Sequence, residues 1–328
     1  MALEIARPLH PETKVIEIDM QTILGANGQI AEELAKELHR NYTTDIRLVS
    51  RNPKKINDTD QLFSANLLDP QATDKAVAGS EIAYLTVGLP MNAQMWTEQF
   101  PIMMKNVIEA CKKHQCKLVF FDNTYMYAKT GEPQTEESPF VPVGKKSVVR
   151  AQMATMLLDE INKKSIGAVI CRAPEFYGTG KTQSITNTLI FDNIKQGNKL
   201  KVPINDNTKR TLIFTPDASR AMALISNTPN AYNQTWHLPC DDSRLTYKEL
   251  INLTSEIYRK ELSYSVVKMW QFKLGSLFNR QAKELMELLP RYQYDNLFIS
   301  DKFKKTFPEF KFTTYQEGIT KIMNEQKQ

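Results

Sequence analysis

Residues 22–35 read Thr22-Ile23-Leu24-Gly25-Ala26-Asn27-Gly28-Gln29-Ile30-Ala31-Glu32-Glu33-Leu34-Ala35. Three apolar or β-branched residues form a short strand that meets a turn carrying Gly25 and Gly28. A helix follows with Ile30, Leu34 and Leu38 on one face and Ala31 near its start. Such a junction leaves unpaired backbone N–H groups at a helix N-terminus and removes the side chains that would block a phosphate. The spacing Gly25-x-x-Gly28-x-x-Ala31 at a strand-to-helix turn is that of a dinucleotide pyrophosphate cradle. It places Gly25, Asn27, Gly28, Gln29 and Ile30 against a cofactor.

Working outward, strand and helix alternate. Strands are expected at 22–24, 46–49, 62–65, 82–86, 118–121 and 168–171, with helices at 29–40, 70–78, 97–114 and 146–163 between them. The runs Lys117–Phe121 (KLVFF) and Gly167–Ile170 (GAVI) are nearly continuous apolar stretches, as strands buried on both faces require. This rhythm fits right-handed βαβ crossovers. The expected class is α/β: a Rossmann-like doubly wound parallel sheet with a smaller, mostly helical C-terminal substrate domain. Residues 20–177 plus 210–238 are assigned to the dinucleotide domain and 178–209 plus 239–328 to the substrate domain. Within the latter, one helix is expected over 246–259 and another over 267–289. Residues 1–19 are an N-terminal extension in which Lys14–Ile18 reads as an added strand or a surface arm.

The second strand exits as Leu48-Val49-Ser50-Arg51, with Lys54 and Lys55 close behind. A chain that reads an unmodified adenosine ribose usually carries a carboxylate here. A 2′-phosphate instead wants a cation and a hydroxyl donor. Ser50 and Arg51 therefore favour NADP over NAD.

The 328 residues carry a net charge of +5, with 41% apolar and 24% charged residues. That is an ordinary globular composition, too weakly and diffusely basic to imply nucleic acid. Lys302–Lys311 with its interleaved phenylalanines reads as a solvated basic face over buried anchors rather than an RNA site. No apolar run approaches a membrane span and no secretory signal opens the chain, so a cytoplasmic protein without a membrane partner is expected. The four cysteines lack a CxxC pair and the four histidines lack partners at metal-ligand spacing, so no metal is expected.

Taken in order, these segments resemble the short-chain dehydrogenase/reductase superfamily, in its extended NAD(P)-dependent epimerase/dehydratase branch. Beyond the Gly25–Ala31 loop, Asn66-Leu67-Leu68-Asp69 is similar to the acidic turn beside the adenine. Thr86-Val87-Gly88 is similar to the strand end that passes the cofactor ribose. Arg172-Ala173-Pro174-Glu175-Phe176-Tyr177-Gly178 resembles the family's Arg…Tyr-Gly run, Phe214–Ala218 its Val-Asp-Asp-Val-Ala segment, and Glu317-Gly318-Ile319 its terminal Glu-Gly-Leu helix. The resemblance implies that Asn66, Leu67, Val87, Gly88 and Pro174 border the cofactor.

The catalytic positions depart from the family pattern of a Ser or Thr after the fifth strand and a Tyr-x-x-x-Lys pair on the next helix. Here Asn123 stands at the Ser position with Thr124 beside it, and the helix entry Pro142–Arg150 contains no tyrosine. The candidate catalytic set is Asn123, Thr124, Tyr127 and Lys146. Tyr125-x-x-x-Lys129 matches the pair formally but lies in a strand-exit turn before Thr130-Gly131-Glu132-Pro133, where helical geometry is not expected.

Two functional readings follow. One is hydride transfer to or from a carbonyl or hydroxyl carbon of a small organic or sugar-type substrate, with nucleotide-sugar epimerisation or dehydration as a variant. The other is a non-catalytic NADP-sensing regulator. A well-formed polar pocket would favour an enzyme, whereas an occluded pocket with an exposed apolar patch would favour the sensor. A homodimer through helices 97–114 and 146–163 is open, because Lys145, Lys146, Lys163 and Lys164 would make that surface repulsive.

Overall fold

A computed structural model describes residues 20–327. The extension at 1–19, including Lys14–Ile18, lies outside the described residues. The chain runs β1 (Gln21–Leu24), α1 (Gln29–Asn41), β2 (Ile46–Ser50), β3 (Gln61–Ser64), α2 (Pro70–Val77), β4 (Ile82–Leu85), α3 (Ala93–Lys113), β5 (Lys117–Asp122), α4 (Lys145–Asn162), β6 (Ala168–Arg172) and β7 (Glu175–Tyr177). Then come α5 (Asp192–Lys195), β8 (Leu200–Pro203), β9 (Leu212–Phe214), α6 (Thr215–Ser226), β10 (Gln234–His237), α7 (Tyr247–Tyr258), β11 (Tyr264–Val267), α8 (Met269–Ser276), α9 (Arg280–Leu285), α10 (Asp301–Thr306) and α11 (Tyr315–Gln326).

Seven strands form one sheet in the order β10-β6-β5-β4-β1-β2-β3, and every pair is parallel. The order reverses between β1 and β4, so the crevice beyond their carboxyl ends is the topological switch point where such sheets bind ligands. Helices cover both faces. On one side α3 packs on α2 and α4, and on the other α1 packs on α6. The central strands are buried throughout, as their apolar runs demand. Local chemistry sets the helix starts. Asp69 accepts the N–H groups of Gln71 and Ala72 ahead of Pro70, and Thr246/Glu249 and Thr314/Glu317 form capping boxes.

The expected parallel doubly wound sheet is present, with its first six strands placed within a residue or so of the reading. Two expectations differ. The main sheet has a seventh strand, β10, beyond the six expected, while β9 pairs with β7 in a separate ribbon. The single helix expected over 267–289 is broken into α8 and α9, because Asn279 turns its side chain onto the N–H groups of Gln281 and Ala282 and starts a new helix. A second apolar core joins β7–β9, α7 and α11. Helix α11 approaches it closely at Gly318, where an added Cβ would lie 2.5 Å from the Tyr177 hydroxyl oxygen.

Candidate active site at the switch point

The turn after β1 is built around a backbone approach. Gly25 has φ +104°, and a Cβ there would lie 2.8 Å from Val87 Cα. Only glycine combines that conformation with that contact. The Gly25 and Ala26 N–H groups donate to Val49 O at 2.9 and 3.0 Å, fixing the turn over β2. Gly28 caps α1 without any side-chain hydrogen bond, and a Cβ added to it would touch only Gly25 O at 3.5 Å. Nothing lies within 4 Å of a Cβ built on Gly88. The helix head is thus bare and its approach open, as an anion seat requires. Around it, Asn27 Nδ2 donates to Asn52 O at 2.8 Å, the buried Ile30 anchors the helix, and Gln29 Oε1 accepts the Gln183 N–H. The segment carrying Gln183 is also tied down by Lys181, 3.0 Å from Glu32.

At the β2 exit, Ser50 Oγ is buried without a hydrogen-bond partner, while Arg51 is exposed beside it. A buried hydroxyl left unmatched is a seat for a polar group of a ligand. Asn66 Oδ1 accepts the Leu68 N–H at 3.2 Å, and Leu67 O accepts from Asn106 at 2.9 Å. Pro174 is buried between β6 and β7. Pro174 apart, the residues expected to bind a cofactor therefore fall into two groups. Gly25, Asn27, Gly28, Gln29, Ile30, Val87 and Gly88 surround the first turn, and Ser50, Arg51, Asn66 and Leu67 line the exits of β2 and β3.

The β5 exit is organised by a buried charge network. Asp122 is 1% exposed and is shared by two arginines: Arg150 at 2.5 Å and Arg172 at 3.0 Å. Arg172 Nη1 donates to the Tyr127 hydroxyl at 2.5 Å, and Arg172 Nη2 has no partner. Tyr127 Oη also lies 2.7 Å from His237 Nε2 and 3.0 Å from Thr135 O. Because Ile299 O, 2.8 Å from His237 Nδ1, can only accept, Nδ1 carries the imidazole proton. Burial, reinforced by the Arg172 charge, holds His237 well below the ordinary histidine range. Burial pushes the Tyr127 phenol up to about 12, against the pull of Arg172.

Tyr127, one of the expected catalytic residues, is 1% exposed, with its hydroxyl set against Arg172, His237 and Thr135. Tyr125 and Tyr127 both line the cavity at this turn, and Tyr125 is the less buried of the two. The Tyr125 ring stacks on Trp96 at 6.2 Å, and the Arg291 guanidinium lies 5.2 Å from its centroid. Asn123 Oδ1 accepts the Tyr125 N–H at 3.0 Å and so shapes the turn. Thr124, Tyr125, Lys129, Gln134 and Arg291 line a narrow cavity of about 20 Å³, room for about one water. Lys129 is held below the ordinary lysine range by burial and the nearby Arg291.

Lys146 is 1% exposed and is not part of the basic outer surface expected for α4. Its ammonium reaches Glu284 Oε2 at 2.6 Å and Glu284 O at 2.9 Å. Glu287 accepts the Ser147 N–H at 3.0 Å and so caps α4, while Lys129 donates to Glu287 O at 2.9 Å. Gly144 leaves room for this, since a Cβ there would lie 2.3 Å from Glu287 Cγ. Glu284 and Glu287 thus fasten the α9 segment across the heads of α3 and α4. Neither residue forms part of any motif, and sequence reasoning missed both. The Asp122–Arg150–Arg172 cluster had one signal, an acid closing the apolar run of β5.

Residues 22–237 match the model of the NAD dependent epimerase/dehydratase family. The chain belongs to that family. A comparison with curated proteins finds no match. Among solved structures, this epimerase/dehydratase family member is similar to the Bacillus cereus UDP-glucuronic acid 4-epimerase in complex with NAD, at 13% identity and a TM-score of 0.76, covering 94% of this chain and 98% of that one. It is also similar to the Thermus thermophilus UDP-glucose 4-epimerase complex with NAD, at 14% identity, TM-score 0.73, 94% of this chain and 99% of that one. A putative epimerase from Burkholderia cenocepacia matches at 14% identity, TM-score 0.74, 94% of this chain and 98% of that one. At such identities the likeness shows the fold. Family membership supports a nicotinamide dinucleotide cofactor.

Proposed function

We propose that this family member is an NADP-binding, epimerase-type oxidoreductase. Its reaction is hydride transfer to or from a carbonyl or hydroxyl carbon of a small organic or sugar-type substrate. The carrying observation is the open, uncapped head of α1 behind a glycine turn pressed onto Val87. Gly25, Asn27, Gly28, Gln29 and Ile30 would hold the pyrophosphate side. The adenosine end would meet Ser50, Arg51, Asn66 and Leu67, and the ribose path would pass Val87 and Gly88. The choice of NADP over NAD rests on the unmatched Ser50 hydroxyl beside the exposed Arg51. The two UDP-sugar epimerases above are NAD complexes, but at their distance from this chain the residues at the β2 exit carry more weight.

A nicotinamide bound there supplies the hydride donor or acceptor. Thr124 would donate a hydrogen bond to the substrate oxygen, and the Tyr125 phenol would be the proton source in place of Tyr127. Asn123 holds the turn that presents both, and Arg291 supplies a cation beside them. Lys146 becomes available to a ribose only when Glu284 releases it.

A second reading is favoured by one pair of observations. The cavity holds about 20 Å³, too little for a sugar, and large apolar side chains stand exposed on α8. Those are the features expected of an NADP-sensing regulator. Two measurements test the proposal. NADPH should bind at least about tenfold tighter than NADH, with Arg51→Ala removing the difference. Turnover on a panel of carbonyl compounds and nucleotide sugars should fall with Tyr125→Phe. Tight NADPH binding without turnover across the panel would select the regulator, and equal affinity for both cofactors would remove the NADP assignment.

A further inference from the structure

The segment between Glu261 and Glu284 contains no acidic residue and four basic ones, Lys268, Lys273, Arg280 and Lys283, all exposed. Helix α8 lies at its centre. One side of α8 is docked, with Met269 and Phe272 packed on the second apolar core. Trp270 and Leu274 stand on α8 itself, and Leu277 and Phe278 follow in the turn that ends it. They are 64%, 54%, 73% and 87% exposed. Four large apolar side chains exposed so close together in the chain mark an interaction surface rather than scattered surface residues.

We infer that this surface docks onto an anionic lipid bilayer. A short segment with exposed aromatic and aliphatic side chains, four exposed cations and no acid of its own is the pattern of one that lies in the headgroup region. A second copy of the chain is disfavoured, because pairing two such segments would bring eight like charges together. No helix among the described residues is long and apolar enough to cross a membrane, so the contact is with the surface. Trp270 and Phe278 enter the acyl boundary while the lysines and Arg280 meet the phosphates.

The molecule carries its own probe. Trp96 and Trp236 are 6% and 3% exposed, so a change in tryptophan emission on docking comes from Trp270. The full chain is mixed with vesicles of phosphatidylglycerol and phosphatidylcholine, or of phosphatidylcholine alone, at about 0.1 M salt. Cosedimentation with the anionic vesicles and a blue shift are expected, with neither on neutral ones. L277D/F278D should abolish both, and K268E/K273E/K283E should weaken binding at least about tenfold. All five positions are solvent-exposed, and an unchanged melting temperature verifies that the variants fold. Absence of binding to anionic vesicles overturns the inference, as does binding that survives L277D/F278D. A lipid-free, concentration-dependent blue shift with self-association by sedimentation would assign the face to a second copy. A shift with soluble poly-glutamate but not with vesicles would assign it to an acidic protein.

Discussion

Glu284 Oε2 lies 2.6 Å from Lys146 Nζ and accepts the Ala93 N–H at 2.9 Å. One carboxylate thus pins the heads of α3 and α4 to the C-terminal segment. Burial works to raise the Glu284 pKa, but Lys146, Ala93 and Arg280 together outweigh it and hold the group below the usual carboxylate range. Replacing Glu284 by alanine leaves a buried ammonium without its ion-pair partner and should cost about 3 kcal/mol in urea denaturation. The double variant Lys146→Met/Glu284→Leu should recover much of that loss, since an apolar pair removes both desolvation penalties.

The two glycines of the first turn should separate folding from binding. Gly25→Ala forces a side chain into the left-handed region and into Val87, so the melting temperature should fall, with a loss of at least about 2 kcal/mol. Gly28 has ordinary φ −82° and only Gly25 O near a new Cβ. Gly28→Ala should leave stability within about 0.5 kcal/mol while reducing NADPH affinity at least about tenfold, measured by calorimetric titration.

The phenols at the β5 exit should part in the same way. Tyr127→Phe strips Arg172 Nη1 and His237 Nε2 of a shared buried partner, so a stability loss of about 1–3 kcal/mol is expected. Tyr125→Phe removes a half-buried hydroxyl at the cavity and should leave the melting temperature nearly unchanged while lowering any carbonyl-reductase rate.

His237 sets a pH dependence. Its folded pKa lies well below the 6.5 of an unperturbed imidazole, so the unfolded chain binds the proton first as pH falls. Stability should therefore be full above about pH 6.5 and decline below it, by up to about 1.4 kcal/mol per pH unit for one proton. His237→Gln should flatten that slope in melts taken between about pH 6.5 and 5. A slope unchanged in the variant would place its origin in another group.

The sheet was readable because its signal is local. KLVFF and the Gly25 turn announce buried parallel strands and a strand–helix junction within a few residues. β10 was harder to see: Gln234-Thr235-Trp236-His237 alternates poorly, and its place is fixed by pairing with β6 and by Phe303 and Phe307 packing on Trp236. The break between α8 and α9 turned on the side chain of Asn279, which competes with a helical pattern that composition alone would continue. The candidate cofactor turn could be read from spacing. The burial of Tyr127, by contrast, depends on Arg172 and His237, 45 and 110 residues away. The same holds for Glu284 and Lys146, 138 residues apart.

The buried carboxylates of Asp122, at the end of β5, and Glu175, at the start of β7, are each outnumbered. Asp122 answers Arg150 and Arg172, and Glu175 lies 3.8 Å from Arg210 and 3.5 Å from Arg291. In each of these two clusters the guanidinium groups outnumber the buried carboxylate, and no physiological acidity discharges them. Their field penalises a cationic ring placed above them and tolerates a neutral one. For a nicotinamide placed at the β5 exit, the reduced form would be held more tightly than the oxidised form, and the bound couple would become a stronger oxidant than the free one.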